Sequence, residues 1–453
     1  TGSGYSNDAL LENIQAANVI QINSSHYSQY RYTAVFTRVG YNYSDKYLLN
    51  ITARRDGSSR FAPDKRFSDF GAVGAGWIFT NESFLKGRKF LSFGKLRASY
   101  GVTGNDQIGD YMYLDLWATT SYPYQGVTGI NPVGIPTTDY AWERVKKLEF
   151  GLQLGFLTDK ILISASQYRN RSDNQLVGYF LPPSTGFQYI TSNLPALVQN
   201  TGWEFELNAD VLKSRHFNWF LSFNLTLPSN KLIRFPNLES SAYADSYTVG
   251  KPLSIRKLFH YTGVNPATGL YTFEDVNKDG DISYPSDLQS IKVLDQKFYG
   301  GLLNSFRFKG WQCDFFIQFV NQTGNNLVAS SPMPGFQVNQ EAVVMERWEK
   351  NGDNSGVQKF SQAYGDAYHA HSKYSPGSDE TITDASFIRL KNISLSYQLP
   401  ERWLKRIYLA EAKIFAMGQN LWTKTNYPGL DPESQGSVIP SLKMLSAGLQ
   451  LTL

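Results

Sequence analysis

The chain has 453 residues, of which 42% are apolar and 18% charged, with a formal net charge of +4 and one cysteine, Cys313. So small a charge at this length gives no basic surface for nucleic acid, and a lone cysteine excludes a disulfide framework. Aromatic residues reach 15%, mainly 28 Tyr and 29 Phe, and no run of about 18 apolar residues could cross a bilayer as a helix.

What recurs along the chain is alternation of apolar and polar residues. Residues 1–31 read as the end of a loop. "YTAVFTRVGYNY" (32–43) and "KYLLNITARRD" (46–56) then alternate on either side of the tight turn Ser44-Asp45-Lys46. "FGAVGAGWIF" (70–79) and "GKLRASYGVTG" (94–104) follow. The stretch "GAVGAG" (71–76) has the look of a nucleotide loop, but it opens no helix and reads as small residues on a strand. "KLEFGLQLGFLTDKILISASQY" (147–168) is a pair of strands around Thr158-Asp159-Lys160. Its first strand has Leu148, Phe150, Leu152, Leu154 and Phe156 on one face, and Glu149, Gly151, Gln153 and Gly155 on the other. Later strands are "TGWEFELNADV" (201–211), "FNWFLSFNLTL" (217–227), "FYGGLLNSFRF" (298–308) and "WQCDFFIQFV" (311–320). "SFIRLKNISLSYQL" (386–399), "EAKIFAMGQNL" (411–421) and "SLKMLSAGLQLTL" (441–453) complete the series. This makes about thirteen strands of bilayer-crossing length. One short helix is expected around Gln340–Lys350.

The connections alternate too. Tight turns separate some strands; long loops over roughly 104–143, 170–199, 228–297 and 321–384 separate the others. Short turns at one end and long loops at the other mark an outer-membrane barrel, with the long loops outside. The expected fold is all-β, a transmembrane antiparallel β-barrel wall over 32–453. Phe150 and its row face outer-membrane lipids, as does Cys313, while Glu149 and Gln153 face a wet lumen. Tyr41, Tyr43, Trp77 and Trp219 fit the aromatic girdles at the membrane interfaces. An odd number of strands leaves open edges, so the chain reads as part of a larger barrel.

"YNYSDKYLLNITARRDGSSRF", "KLRASYGVTGN", "SFIRLKNISLSYQLP" and "GQNLWTKTNYPGLDPE" resemble the SusC/RagA family of TonB-dependent outer-membrane transporters, from about residue 30 to the end. The resemblance implies about 22 strands in the whole barrel, with this chain supplying the C-terminal part. It places a plug, a TonB box and the first strands upstream of Thr1. It also implies import of a nutrient, oligosaccharide or peptide, with a SusD-like surface lipoprotein as lid. The TonB complex would act through the N-terminal part, in the outer membrane of a Gram-negative, Bacteroidetes-like cell. The alternative is a structural or adhesive barrel that transports nothing. The last residue, Leu453, stands where the family has Phe.

Candidate sites are few. "DVNKDGDISYPSD" (275–287) sets Asp275, Asn277 and Asp279 at positions 1, 3 and 5 of an EF-hand-type loop. Gly280 makes the turn and Asp281 can offer its carbonyl, a pattern that suits Ca²⁺. Ser286 holds position 12 and Asp287 comes one residue late, so a solvated acidic turn stays open as the alternative. "YMYLDLWATTSYPYQG" (111–126) and "YFLPPSTGFQY" (179–189) offer Tyr111, Tyr113, Trp117, Tyr122, Tyr124, Tyr179, Phe187 and Tyr189 for substrate or lid contact. His369 and His371 of "HAH" are expected on one face of a strand, without a third metal ligand. No Ser-His-Asp or Cys-His arrangement stands out, and the reading is not that of an enzyme.

Overall fold

The computed structural model describes the chain except for residues 22–26, 89, 121, 123, 328, 405–407, 437–438 and 453 and the side chain of Tyr179. Leu453 therefore lies outside the described residues. A single antiparallel sheet of 13 strands dominates, and its strand order is the chain order. The strands are β1 (Tyr32–Tyr43), β2 (Tyr47–Ser58), β3 (Phe67–Trp77), β4 (Leu91–Asn105), β5 (Glu143–Phe156), β6 (Ile161–Phe180) and β7 (Tyr189–Lys213). They continue as β8 (Phe217–Arg234), β9 (Phe298–Phe308), β10 (Trp311–Asn321), β11 (Phe387–Gln398), β12 (Glu411–Thr425) and β13 (Met444–Thr452).

Register converts the sequence alternation into two faces. Leu96, Leu152, Ala165, Phe205 and Leu225 stand side by side across five strands. One position along, Arg97, Gly151, Ser166, Glu204 and Thr226 do the same. Successive strand residues point to opposite faces, so the first row belongs to an apolar surface and the second to a polar one. Cys313 pairs with Phe306 and Leu395, which puts it on the apolar face as expected. The girdle residues share that face: Tyr41 stacks near Tyr43, Tyr43 near Tyr47, and Trp219 on Phe306. All four girdle residues lie within three residues of the connections at one end of the sheet.

The longest connections share one end, as the sequence suggested, although 78–90 and 399–410 at the other end are longer than 59–66 and 181–188. Connections 44–46, 78–90, 157–160, 214–216, 309–310 and 399–410 lie at one end; 59–66, 106–142, 181–188, 235–297, 322–386 and 426–443 lie at the other. Three expectations need correction. The loop expected over 170–199 is mostly a hairpin: β6 and β7 stay paired out to Phe180↔Tyr189. Asn170, Ser172, Asn193, Pro195 and Asn200 interrupt the alternation there, and the apolar row Leu194, Ala196 and Val198 is covered by a later loop and not by lipid. The helix expected at Gln340–Lys350 is a short 3₁₀ turn, Ala342–Glu346, and the longer helix α1 is Asp366–Tyr374. His369 and His371 therefore sit on α1, where a spacing of two turns side chains about 200° apart; they do not share a face.

Packed cores lie at the long-loop end. Phe61, Phe70, Ile108, Tyr140 and Trp142 form one; Leu194, Ala196, Val198, Leu232, Phe235 and Leu238 form the other. Elsewhere the wall is one strand thick. β1 and β13 are each hydrogen-bonded on one side only, and every residue of β1 is exposed.

Candidate functional site

The polar face carries paired charge held over small residues. Arg97 Nη2 lies 2.7 Å from Glu149 Oε1, and Arg38 Nε donates to Asn50 Oδ1 at 3.0 Å. A Cβ on Gly151 would lie 2.4 Å from Arg97 Nε. Glycine on the wet face of β5 thus makes room for the guanidinium lying across it.

At the long-loop end the chain folds back over this face. Leu232 pairs in register with Val198, and Phe235, Leu238, Tyr243 and Tyr247 from the following loop pack on them. Two loops are then tied together by Asp379, which is 8% exposed. Its carboxylate accepts from the Tyr261 N–H (3.0 Å) and Ser290 Oγ (2.9 Å), and sits 2.9 Å from His260 Nδ1 and 3.3 Å from Lys292 Nζ. Burial alone would raise this carboxyl, but those partners together bring it down to about 2.

A second tie joins two of the motifs that carry the family resemblance. Arg389, 2% exposed on β11, reaches Asp431 Oδ2 at 2.8 Å and Glu433 Oε2 at 2.7 Å, and Lys391 Nζ reaches the same Glu433 oxygen at 2.8 Å. Burial would raise Asp431, yet the guanidinium and the N–H groups of Glu433 and Ser434 hold it below its ordinary range. Sequence reading missed this cluster, although Arg and Lys in one motif and Asp and Glu in the other are its signal.

The expected site residues separate into groups. Tyr111 Oη accepts from the Gln29 N–H at 2.7 Å, and Tyr113 Oη accepts from Arg66 Nη2 at 3.2 Å while its ring packs on the Phe61–Trp142 core. Both are struts. Trp117, Tyr122, Tyr124 and Tyr189 are exposed at 54%, 87%, 78% and 58%, and Phe187 is half-buried. Trp117 opens a small hairpin in which Trp117–Thr119 pairs with Ile130–Pro132, and Tyr122 and Tyr124 lie between its two strands. Tyr179 is the last but one residue of β6, paired in register with Ile190 of β7.

In the acidic loop, Asp275 accepts from the N–H groups of Lys278 (2.6 Å) and Gly280 (2.9 Å), and Asn277 Nδ2 donates to Asp279 at 2.7 Å. Asp279 Oδ1 accepts from the Asp281 N–H at 2.9 Å, and Gly280 has φ +89. Asp287 is 1% exposed, with its two oxygens taken by the N–H groups of Val276 and Ser283. Among the described residues no three His, Cys, Asp or Glu converge closely enough to hold a metal. The donor set is all oxygen and keeps spare lone pairs, which suits a hard cation, but the bidentate carboxylate at position 12 is missing.

A wall one strand thick, apolar on one face, polar on the other and roofed by loops at one end, is wall of an outer-membrane β-barrel. The chain belongs to the TonB-dependent receptor family: the model described as "TonB dependent receptor-like, beta-barrel" matches residues 1–421. It is 28% identical to TonB-dependent receptor P3 of Formosa agariphila over 95% of this chain and 45% of the relative. It is also 28% identical to TonB-dependent receptor SusC of Bacteroides thetaiotaomicron, over 89% of this chain and 41% of that one. The chain thus spans less than half the length of these relatives. The RagAB peptide importer in its closed-closed state shares the fold, with a TM-score of 0.85 over 99% of this chain and 51% of that one, at 24% identity.

Proposed function

We propose that this chain is the C-terminal wall of a TonB-dependent importer that carries a nutrient, oligosaccharide or peptide, across the outer membrane of a Bacteroidetes-like bacterium. The observation that carries the reading is the polarity of the wall: a wet face with ion pairs runs through the bilayer and ends under loops that fold inward over it. An adhesin needs display loops but no polar interior path. Substrate first meets the exposed aromatics Trp117, Tyr122, Tyr124 and Tyr189, whose rings bury area at low entropic cost. A SusD-like lipoprotein lies as a lid on the loops 106–142, 235–297 and 322–386. A lumen of this width is closed by a plug, which the TonB complex displaces. The similarity to SusC and to the RagAB peptide importer supports this arrangement. The test is uptake in cells lacking TonB or with the proton-motive force collapsed. Uptake should stop while surface binding persists; continued uptake would replace the importer with the adhesin.

A further inference from the structure

The wall opens at Pro228. This residue pairs with Gly202 of β7, but on the other side β8 stays bonded to β9 only as far as Thr226↔Tyr299. Proline has no N–H to give a ladder, so a strand can leave its neighbour there without abandoning a donor. The gap is bordered by Leu253–Ser254 and Leu294–Gln296 from the long loop, and it holds a cavity of about 550 Å³. Ligand sites usually span about 300–1,000 Å³.

Its lining is arranged for contact. Tyr168, Asn200, Asn230 and Tyr299 occupy polar-face positions, since Tyr168 aligns with Gly202 and Asn200 with Asn230. A Cβ on Gly202 would lie 2.6 Å from Tyr168 Oη and 2.7 Å from Cζ. The missing side chain lets this ring lie against the wall and leaves its other side for the cavity. Asn230 is fixed: it donates to Asn200 Oδ1 at 2.7 Å and accepts from the Leu253 N–H at 2.8 Å. That leaves the Asn200 amide N–H₂ as a donor. Ser254 Oγ donates to Asp295 Oδ1, which leaves Oδ2 as an acceptor. No lysine or arginine is among the described lining residues.

We propose that this seam is a binding station for an uncharged, hydroxyl-bearing ring, a neutral sugar unit of the nutrient, and that it turns away anionic sugars. The proposal rests on the importer reading. A hydroxyl both donates and accepts, which matches an amide N–H₂ beside a carboxylate oxygen. The flat Tyr168 ring receives the apolar face of the sugar. A uronate or sulfate would meet Asp295 with no cation to offset it, and a cationic side chain would leave the Asn200 donor unused.

The test uses the receptor purified from outer membranes. Its probes are α- and β-linked neutral hexose oligosaccharides, uronate oligosaccharides of the same lengths, and tetralysine, all measured by titration calorimetry. At least one neutral oligosaccharide should bind best. Tyr168→Ala, and Gly202→Ala, which displaces the ring, should each weaken it about tenfold. Asn200→Ala, at an exposed position, should weaken it severalfold with an unchanged melting temperature. Uronates or tetralysine binding as well as any neutral sugar would overturn the proposal. So would the absence of neutral binding, or wild-type affinity in all three variants. Uptake that remains TonB-dependent while the variants bind normally spares the importer and removes the station. Uptake independent of TonB, with neutral sugar still lost from the variants, does the reverse.

Discussion

Arg389 shows how much can depend on one side chain. Its guanidinium is nearly fully buried against Asp431 and Glu433. Removing one partner of such a cluster leaves an uncompensated buried charge, at a cost of about 3–5 kcal/mol. Arg389→Ala should therefore release the 426–443 connection, seen as faster amide exchange there than in the strands below. The pair replacement Arg389→Met with Asp431→Leu should recover most of that loss, because apolar groups of similar size replace buried ion pairs at little cost. If the double variant exchanges as fast as the single one, the contact is not electrostatic in origin. Asp379 makes a pH-dependent prediction of the same kind. Its carboxyl is depressed from an ordinary 3.8 to about 2. The folded form thus binds its proton less readily than the unfolded one, so its contribution is complete above about pH 4 and disappears as pH falls toward 2. Loops 235–297 and 322–386 should separate over that window, and Asp379→Asn should make them separated already at neutral pH. A distance measured between spin labels on the two loops, unchanged between pH 5 and pH 2, would sink this account.

At the scale of elements, the acidic loop is the clearest test. If Asp275, Asn277 and Asp279 ligate Ca²⁺, with backbone oxygens in place of the missing carboxylate at position 12, the site should be weak and of the extracellular kind, with a Kd of about 10⁻⁴–10⁻³ M. Chelation should loosen 275–287 and leave the strands intact, and Asp279→Ala should abolish the calorimetric signal. Identical titrations of the two proteins would leave an ordinary acidic turn. The strands were legible because a two-residue period survives wherever one face meets lipid and the other water. The extended part of the β6–β7 hairpin was not: Leu194, Ala196 and Val198 pack under Phe235 and Leu238 of a later loop, while Pro195, Leu197 and the flanking asparagines break the alternation that would have shown it. The helix α1 carries two histidines, two tyrosines and polar residues with no clear apolar stripe, so its period was equally silent. Of the site, the exposed aromatics could be read from composition. The seam could not: it needs Pro228, Gly202 and Tyr168 from three strands, and no local spacing joins them.

For the whole molecule, the decisive feature is that the sheet does not close on itself. Backbone groups left unpaired in hydrocarbon cost several kcal/mol each, so neither β1 nor β13 can face lipid bare. In membranes both strands should pair with further strands, and the amides of Tyr32–Tyr43 should exchange as slowly as those of β7. Exchange there at loop rates would refute this. So would a cross-link joining β1 directly to β13 in a closed barrel of 13 strands.

The sheet's sequential order bears on how the protein is made. No interior strand waits for a partner from far along the chain, since each is next to the one made before it. Loop-closure entropy is charged mainly where connections are long, at 106–142, 235–297 and 322–386. The wall can therefore grow sideways in the membrane one hairpin at a time, like a zip fastener. Each short turn sets the next register, and only at the open edges of β1 and β13, where further strands should pair, is a meeting of distant parts called for.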